Sequence, residues 1–341
     1  MKKVLILGVN GFIGSHLADA IIAKTDWELW GLDLTNDKLS EEVKASSRFH
    51  WLEGDMLKSY KLIESTIQQV DTVLPLVAVA TPSVYVTNPI KVFELDFEAN
   101  LPIVRWCAKY HKHLVFPSTS EVYGCSEEAE FNENTTKLVT GPIKEERWIY
   151  STSKQLMDRV IYALGNHGTE PLNYTIFRPF NWFGPRLDRL VTDGAKAGQA
   201  RVLTQFISDI QFGRTLHLVG GQQRRCFTYV ADGVDALLKI IANDGDRATR
   251  QIFNLGNPKN ELSIEALAKL ILKLAANYSK VAANAAKTQI EVVKAETFYA
   301  KGYADVPRRV PSIAEASDKL NWSPQVDMET GLKMMLDSYW L

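Results

Sequence analysis

Short apolar runs separated by amphipathic stretches set the pattern of the first 180 residues. Lys3–Leu7 is apolar after its first residue and stops at Gly8; Ser15–Lys24 is amphipathic with helical spacing, and Glu28–Leu32 is largely apolar again. Runs at Arg48–Leu52, Asp71–Val79, His113–Phe116 and Asn173–Phe180 each predict a strand, and Phe93–Lys109 predicts a helix kinked by Pro102. Asp71–Val79 is apolar at nearly every position, as a parallel strand buried on both faces requires. Residues 80–89 hold two prolines and several polar side chains and read as a loop at the carboxyl end of that strand. Alternating strand and helix predicts an α/β fold, a Rossmann-type doubly wound parallel sheet.

After Phe180 the alternation stops. Tyr229–Ala242 has a helical pattern and Gln251–Leu255 a strand pattern, so 228–255 is expected to return to the large domain formed by 1–180. Residues 181–227 and 256–341 carry aromatics, arginines and irregular loops, and are expected to form a smaller C-terminal domain from two segments. Ser263-Ile264-Glu265 opens a helix there, and the alanine-rich residues 275–287 are helical in propensity.

Composition narrows the class. The chain has 341 residues, 46% hydrophobic and 23% charged, with a formal net charge of −1, which describes a soluble globular protein. Near-neutral charge makes no case for nucleic acid or membrane. No run of apolar residues reaches the length of a membrane span, and the run before Gly8 is too short for a secretory leader. The three cysteines, Cys107, Cys125 and Cys226, have unrelated spacings and fit a reduced cytoplasm.

Three motifs carry chemistry. Gly8-Val9-Asn10-Gly11-Phe12-Ile13-Gly14 lies between a strand and a helix, where glycines let the backbone approach a pyrophosphate and the helix N-terminus faces it. Asp33, ending the second strand, can hold both adenosine ribose hydroxyls and repels a 2′-phosphate, which predicts NAD and not NADP. Pro117-Ser118-Thr119-Ser120-Glu121-Val122-Tyr123-Gly124 closes the fifth strand with a hydroxyl cluster that packing does not require. In Arg147-Trp148-Ile149-Tyr150-Ser151-Thr152-Ser153-Lys154, Tyr150 and Lys154 share a helix face. A lysine beside a phenol favours the phenolate, which is a general base.

These motifs resemble the extended short-chain dehydrogenase/reductases of the nucleotide-sugar branch, and the resemblance spans the whole chain. It is most detailed with the UDP-glucuronate decarboxylase domains of the bifunctional polymyxin-resistance enzymes, through Leu74–Pro82, Val92–Asn100, Phe116–Gly124, Arg147–Leu156, Phe177–Trp182, Arg225–Thr228, Lys301–Val306 and Arg309–Ser312. The formyltransferase half of those enzymes is not expected here. The resemblance implies NAD binding by Gly8, Asn10, Gly11, Phe12, Ile13, Gly14, Asp33, Asp55, Met56, Tyr150 and Lys154. It implies catalysis by Glu121, Arg309, Tyr150, Lys154, Ser120 and Thr119: Tyr150 takes the 4-hydroxyl proton, and Glu121 with Arg309 serves the decarboxylation half. Arg147 is a candidate clamp on the substrate carboxylate. The remaining implied contacts to a UDP-sugar are Ala80, Tyr85, Asn181, Arg201, His217, Arg225 and Tyr303, with Thr119 and Ser120 shared. No metal is expected, and a cytoplasmic homodimer is.

Two departures fall at the nucleotide end. His217 stands where the family has lysine, and the Gly220-Gly221 turn is one residue short; residues 187–199 also diverge. The leading expectation is an NAD-dependent decarboxylase of UDP-glucuronic acid that yields UDP-4-keto-pentose, CO2 and NADH. The alternatives are a decarboxylase that re-uses NADH to give UDP-xylose, a C4-epimerase or 4,6-dehydratase, and a non-catalytic NAD sensor.

Overall fold

The computed structural model describes residues 1–192, 200–294 and 306–341. At its centre are β1 (Lys3–Leu7), β2 (Glu28–Asp33), β3 (Phe49–Glu53), β4 (Thr72–Pro75), β5 (His113–Pro117), β6 (Asn173–Pro179) and a late strand, Gln251–Leu255. They form one seven-stranded sheet in the order late strand–β6–β5–β4–β1–β2–β3. Every pairing in it is parallel. The chain runs outward from β1 to β3 and then crosses back to β4 on the other side of β1. This reversal opens a crevice at the carboxyl ends of β1 and β4, the place where ligands bind in doubly wound sheets. The expected fold is therefore the observed one.

Strand alternation explains the two apolar layers. Leu5 and Leu7 of β1 face one layer with Ile63, Ile67, Ile103, Met157 and Ile161. Val4 and Ile6 face the other with Leu17 and Ile21 of α1 (Phe12–Lys24) and with Leu237 and Ile240. That second layer continues without a break into Phe206, Leu267, Ile271, Leu336 and Trp340, so the C-terminal helices are packed on the same core as the sheet. Helix Ile264–Ala275 begins where Ser263 accepts the Ala266 N–H, the cap expected from Ser263-Ile264-Glu265.

Four local expectations need correction. β4 ends at Pro75 and not at Val79: its last bond to the sheet runs from the Leu76 N–H to the Leu7 carbonyl of β1, and the chain then leaves the sheet. The expected loop at 80–89 holds the helix Pro82–Thr87 and the start of Pro89–Phe93, with each proline in a first turn that needs no N–H donor. The expected helix Phe93–Lys109 carries a π turn at Glu94–Glu98, where the Ala99 N–H reaches back to the Glu94 carbonyl. Pro102 sits in the first turn of Asn100–Lys109, where it costs little, and the distortion lies upstream of it. Of the alanine-rich stretch, only Ala282–Ala285 forms a separate helix beyond the end of Ile264–Ala275. Tyr278 between them is drawn onto Trp340 and hydrogen-bonds Asp337, so tertiary contacts override propensity.

Helix Val230–Ala242 supports the C-terminal segment through one buried carboxylate. Asp232 accepts the backbone N–H groups of Gln325 and Val326 at 3.0 Å each, and its carbonyl accepts the Trp322 indole N–H at 2.9 Å. Hydrogen bonds to a charged group are worth more than neutral ones, and removing the acceptor leaves two donors stranded. Asp232→Ala is expected to lower the unfolding free energy by about 2–4 kcal/mol in urea titrations while leaving NAD affinity unchanged.

Candidate active site

The glycine turn supplies a cofactor cradle. Gly8 has φ +88°, and a Cβ on Gly14 would sit 2.3 Å from the Gly8 carbonyl oxygen, so the strand and α1 can pack this closely only without side chains. Gly11 caps α1 with no side-chain acceptor, which leaves the first-turn N–H groups facing the crevice. Phe12 and Ile13 form that first turn. Asp33 accepts the Asn10 N–H on one oxygen and the Leu34 N–H on the other, both at 2.8 Å. Each carboxylate oxygen keeps a lone pair for a ribose hydroxyl. Burial raises the Asp33 pKa, and the two backbone donors and Lys38 oppose that shift. Asn10 locks the neighbouring loop through Thr35, Asp37 and the Lys38 N–H. These residues fit a dinucleotide whose pyrophosphate rests on the N-terminus of α1. Asp55 caps its own turn through the Leu57 N–H, and the Met56 side chain is buried among Leu32 and Ile63.

The hydroxyl cluster divides into two roles. Ser118 donates to Asp158 inside the protein, and Asp158 also receives Arg178. Arg178 donates to the Tyr123 hydroxyl, which donates in turn to Asn254. Ser118 and Tyr123 therefore do structural work, against the expectation that packing does not require the cluster. Thr119 caps the 3-10 turn Ser120–Tyr123 by accepting the Glu121 N–H, and it hydrogen-bonds Tyr150.

Tyr150 and Lys154 lie on helix Trp148–His167, one turn apart and both buried. Their electrostatics differ from expectation. The Lys154 ammonium donates to the Pro117 carbonyl at 3.0 Å, pairs with Asp96 at 3.2 Å and lies 5.0 Å from the centre of the Phe116 ring. Tyr150 stacks on Tyr85, with ring centroids 4.5 Å apart and planes 8° from parallel. Burial raises the Tyr150 pKa, the Asp96 and Glu121 charges add to the rise, and Thr119 and Arg201 oppose it. The lowered tyrosine pKa expected from the Tyr–Lys spacing is not found: burial of the phenol is the largest cause of the rise, and the Asp96 charge that pairs with Lys154 adds to it.

Three arginines converge on Glu121. Arg309 reaches both of its carboxylate oxygens, and Arg147 reaches one of them at 2.6 Å. Arg225 adds a third favourable charge. Strand geometry places them. Arg308–Arg309 pairs in parallel with Arg224–Cys226, with Arg308 opposite Arg224 and Arg309 opposite Arg225. Alternate residues face opposite sides, so Arg309 and Arg225 point inward while Arg308 and Arg224 point outward onto Glu261. Phe131 anchors the strand through its bonds to the Val310 carbonyl and the Ser312 N–H. Desolvation alone would raise the Glu121 pKa, but Arg309 and Arg147 outweigh it and hold the carboxyl at about 2.

Glu121, Arg309, Arg225, Asn181, Arg201 and His217 line one pocket, so six of the expected residues meet across long sequence separations. Arg201 is held by Asp188 and lies 5.4 Å from the Phe12 ring, which joins the pocket to the glycine turn. His217 faces Glu291 at 3.7 Å. Tyr85 is buried on Tyr150, Ala80 is exposed, and Tyr303 lies outside the described residues. Sequence reasoning missed Gln205, Gln223 and Phe227 in the pocket wall, and Asp96 beside Lys154. Asp96 had a legible signal: it falls on the apolar helical stripe Val92, Asp96, Ala99, Ile103, where a carboxylate needs a partner.

Comparison with known proteins bears on the family and the fold. Residues 4–256 match the model of the NAD dependent epimerase/dehydratase family. The PbgP3 protein from Burkholderia pseudomallei has 48% identity to the chain and a similar structure, with a TM-score of 0.89 over 99% of this chain and 96% of that one. A UDP-glucuronic acid 4-epimerase from Bacillus cereus, solved with UDP-glucuronic acid and NAD, shares the fold at 20% identity and a TM-score of 0.80, covering 98% of each chain. A dTDP-glucose 4,6-dehydratase from Bacillus anthracis, solved with NAD, shares it at 19% identity and a TM-score of 0.76, over 99% of this chain and 96% of that one.

The Glu121 cluster has a pH signature. Its folded pKa of about 2 lies below the ordinary 4.5, so its ionisation stabilises the fold above the ordinary value and that contribution is lost as pH falls toward 2. The stability difference between wild type and Glu121→Gln is expected to be constant above about pH 5.5 and to shrink as pH falls below the ordinary carboxyl pKa. Denaturant unfolding over that range measures it.

Proposed function

The chain belongs to the NAD dependent epimerase/dehydratase family, and within it we propose that it oxidatively decarboxylates UDP-glucuronic acid. The observation that carries this reading is the half-buried Glu121 carboxylate between Arg147 and Arg309. An arginine pair built to hold carboxylates suits a substrate that carries one and must lose it. Glu121 would hold the seat until the sugar carboxylate draws Arg147 away. The chain folds as a Rossmann-type nucleotide-sugar enzyme of this family, and its cofactor is NAD. Residues 181–227 and 256–341 are proposed as the nucleotide-sugar-binding part. A homodimer belongs to the same proposal; Leu156 and Tyr162 leave apolar surface exposed on the Tyr150 helix.

In this reading Tyr150 takes the proton of the sugar 4-hydroxyl, helped by the Thr119 hydrogen bond and the nearby Lys154 charge. When bound, NAD supplies the acceptor for the hydride that leaves C4. The sugar is then a β-keto acid. Its C5–C6 bond breaks, CO2 departs, and the electron pair moves into an enolate over C4 and C5. Thr119 and Ser120 donate to the developing oxyanion. The Glu121–Arg309 pair relays to C5 a proton drawn from solvent, and the proton that Tyr150 took from the 4-hydroxyl passes out to solvent. Glu121 gains proton affinity as Arg147 turns to the substrate carboxylate, because one opposing cation then leaves it. The 4-hydroxyl proton lost and the C5 proton gained balance.

Incubation with UDP-glucuronic acid and NAD+ tests the reading. One NADH and one CO2 per 4-keto product is the expected result. UDP-xylose without net NADH would move the chain to the re-reducing class, and absence of CO2 would remove decarboxylation altogether. Tyr150→Phe is expected to lower NADH formation by about 100-fold or more. Arg309→Met is expected to leave NAD affinity intact and slow CO2 release; normal turnover in that variant would take Arg309 out of the mechanism.

A further inference from the structure

Asp96 is fully buried and lies in the π turn Glu94–Glu98, within the stretch Val92–Asn100 but not among the residues assigned a role in the site. One carboxylate oxygen faces the Lys154 ammonium at 3.2 Å. The other accepts the Val79 N–H at 3.1 Å. Lys154 is itself nearly inaccessible, so the pair is shielded from water and from salt. The π turn is the local device that makes this contact. Its extra residue shifts the register within a continuous helical run, and the Asn100 side chain secures the turn by donating to the Leu95 carbonyl at 2.9 Å. A single carboxylate thereby joins the segment that leaves β4, the helix that carries Tyr150, and the end of β5 through Lys154 and Pro117.

We propose that Asp96 is a positioning residue that fixes Lys154 against the end of β5 and sets how much positive charge Lys154 presents to Tyr150. This rests on the reading of Tyr150 as the base. The charge balance around Tyr150 supports it. Asp96 from the π turn and Glu121 from the loop after β5 disfavour the phenolate, while Arg201 favours it. Tyr85 stacks on the ring from Pro82–Thr87, Arg147 opens the same helix, and Asp158 lies on that helix within the field of Lys154. Of the carboxylates, Asp96 alone pairs directly with the lysine among the described contacts. Its negative charge both cancels the ammonium and opposes tyrosine ionisation.

Asp96→Asn tests this: its amide oxygen stays on the Val79 N–H and its NH2 faces Lys154, so the charge is removed and the ammonium loses its carboxylate partner. The acid limb of kcat/KM for NADH formation from UDP-glucuronic acid is expected to move to lower pH by about one unit. The phenolate absorbance that Tyr150→Phe abolishes should also be larger in Asp96→Asn at a fixed alkaline pH, a readout that needs no turnover. Asp96→Glu, which restores the charge, should return the limb toward wild type. An unmoved limb with a uniformly lower rate, or a limb moved upward, would overturn the proposal and leave Asp96 a structural residue. Should Asp96→Asn not fold, the neutral pair Asp96→Asn/Lys154→Met is compared with Lys154→Met alone. Rates within about twofold of each other are expected if Asp96 acts through Lys154, and a larger further loss would refute that route. Full activity in Tyr150→Phe would instead remove the base itself, which separates failure of that reading from failure of this one.

Discussion

A carboxylate taken out of water needs cations close by, and much of the pocket follows from how Glu121 obtains them. The arginines come from three separate parts of the chain: the start of the Tyr150 helix, the strand Arg224–Cys226 and the strand Arg308–Arg309. Desolvating such a cluster costs several kcal/mol per ion, and removing one partner from a buried pair costs about 3–5 kcal/mol. The cluster is therefore a weak source of stability and a strong source of specificity. Its charges are satisfied only when the C-terminal strand, the loop after β5 and the helix start are all in register.

The sheet was legible in the sequence because parallel strands buried on both faces leave nearly unbroken apolar runs. β1, β2, β3, β5, β6 and Gln251–Leu255 lie within a residue of where those runs put them. The glycine turn and Asp33 were legible because few backbones need glycines at that spacing. β4 was misjudged because Leu76–Val79 stays apolar after leaving the sheet, so the composition does not mark the change of partner. Hydrogen bonds decided its end, and periodicity does not report those.

The site was legible as a set of residue types but not as a set of pairings. Glu121, Arg309, Tyr150 and Lys154 were named as candidates, and the first two are in contact. The lysine was expected to act on the tyrosine, and its direct partner is Asp96, 58 positions earlier in the chain. No local spacing encodes that contact; it depends on a π turn, which comes from packing. The same holds for Ser118, whose hydroxyl looked available and is committed to Asp158.

The paired strands Arg224–Cys226 and Arg308–Arg309 carry four arginines that are chemically alike and unequal in burden. Glu261 pairs with the outward two at the surface, where water can replace either partner. The inward two have no such substitute. Tolerance to change should thus alternate residue by residue along both strands, with Arg224 and Arg308 free to drift and Arg225 and Arg309 held. Adjacent positions in this ribbon would evolve at different rates for a reason that is purely geometric: the pleat decides which arginine the solvent can replace.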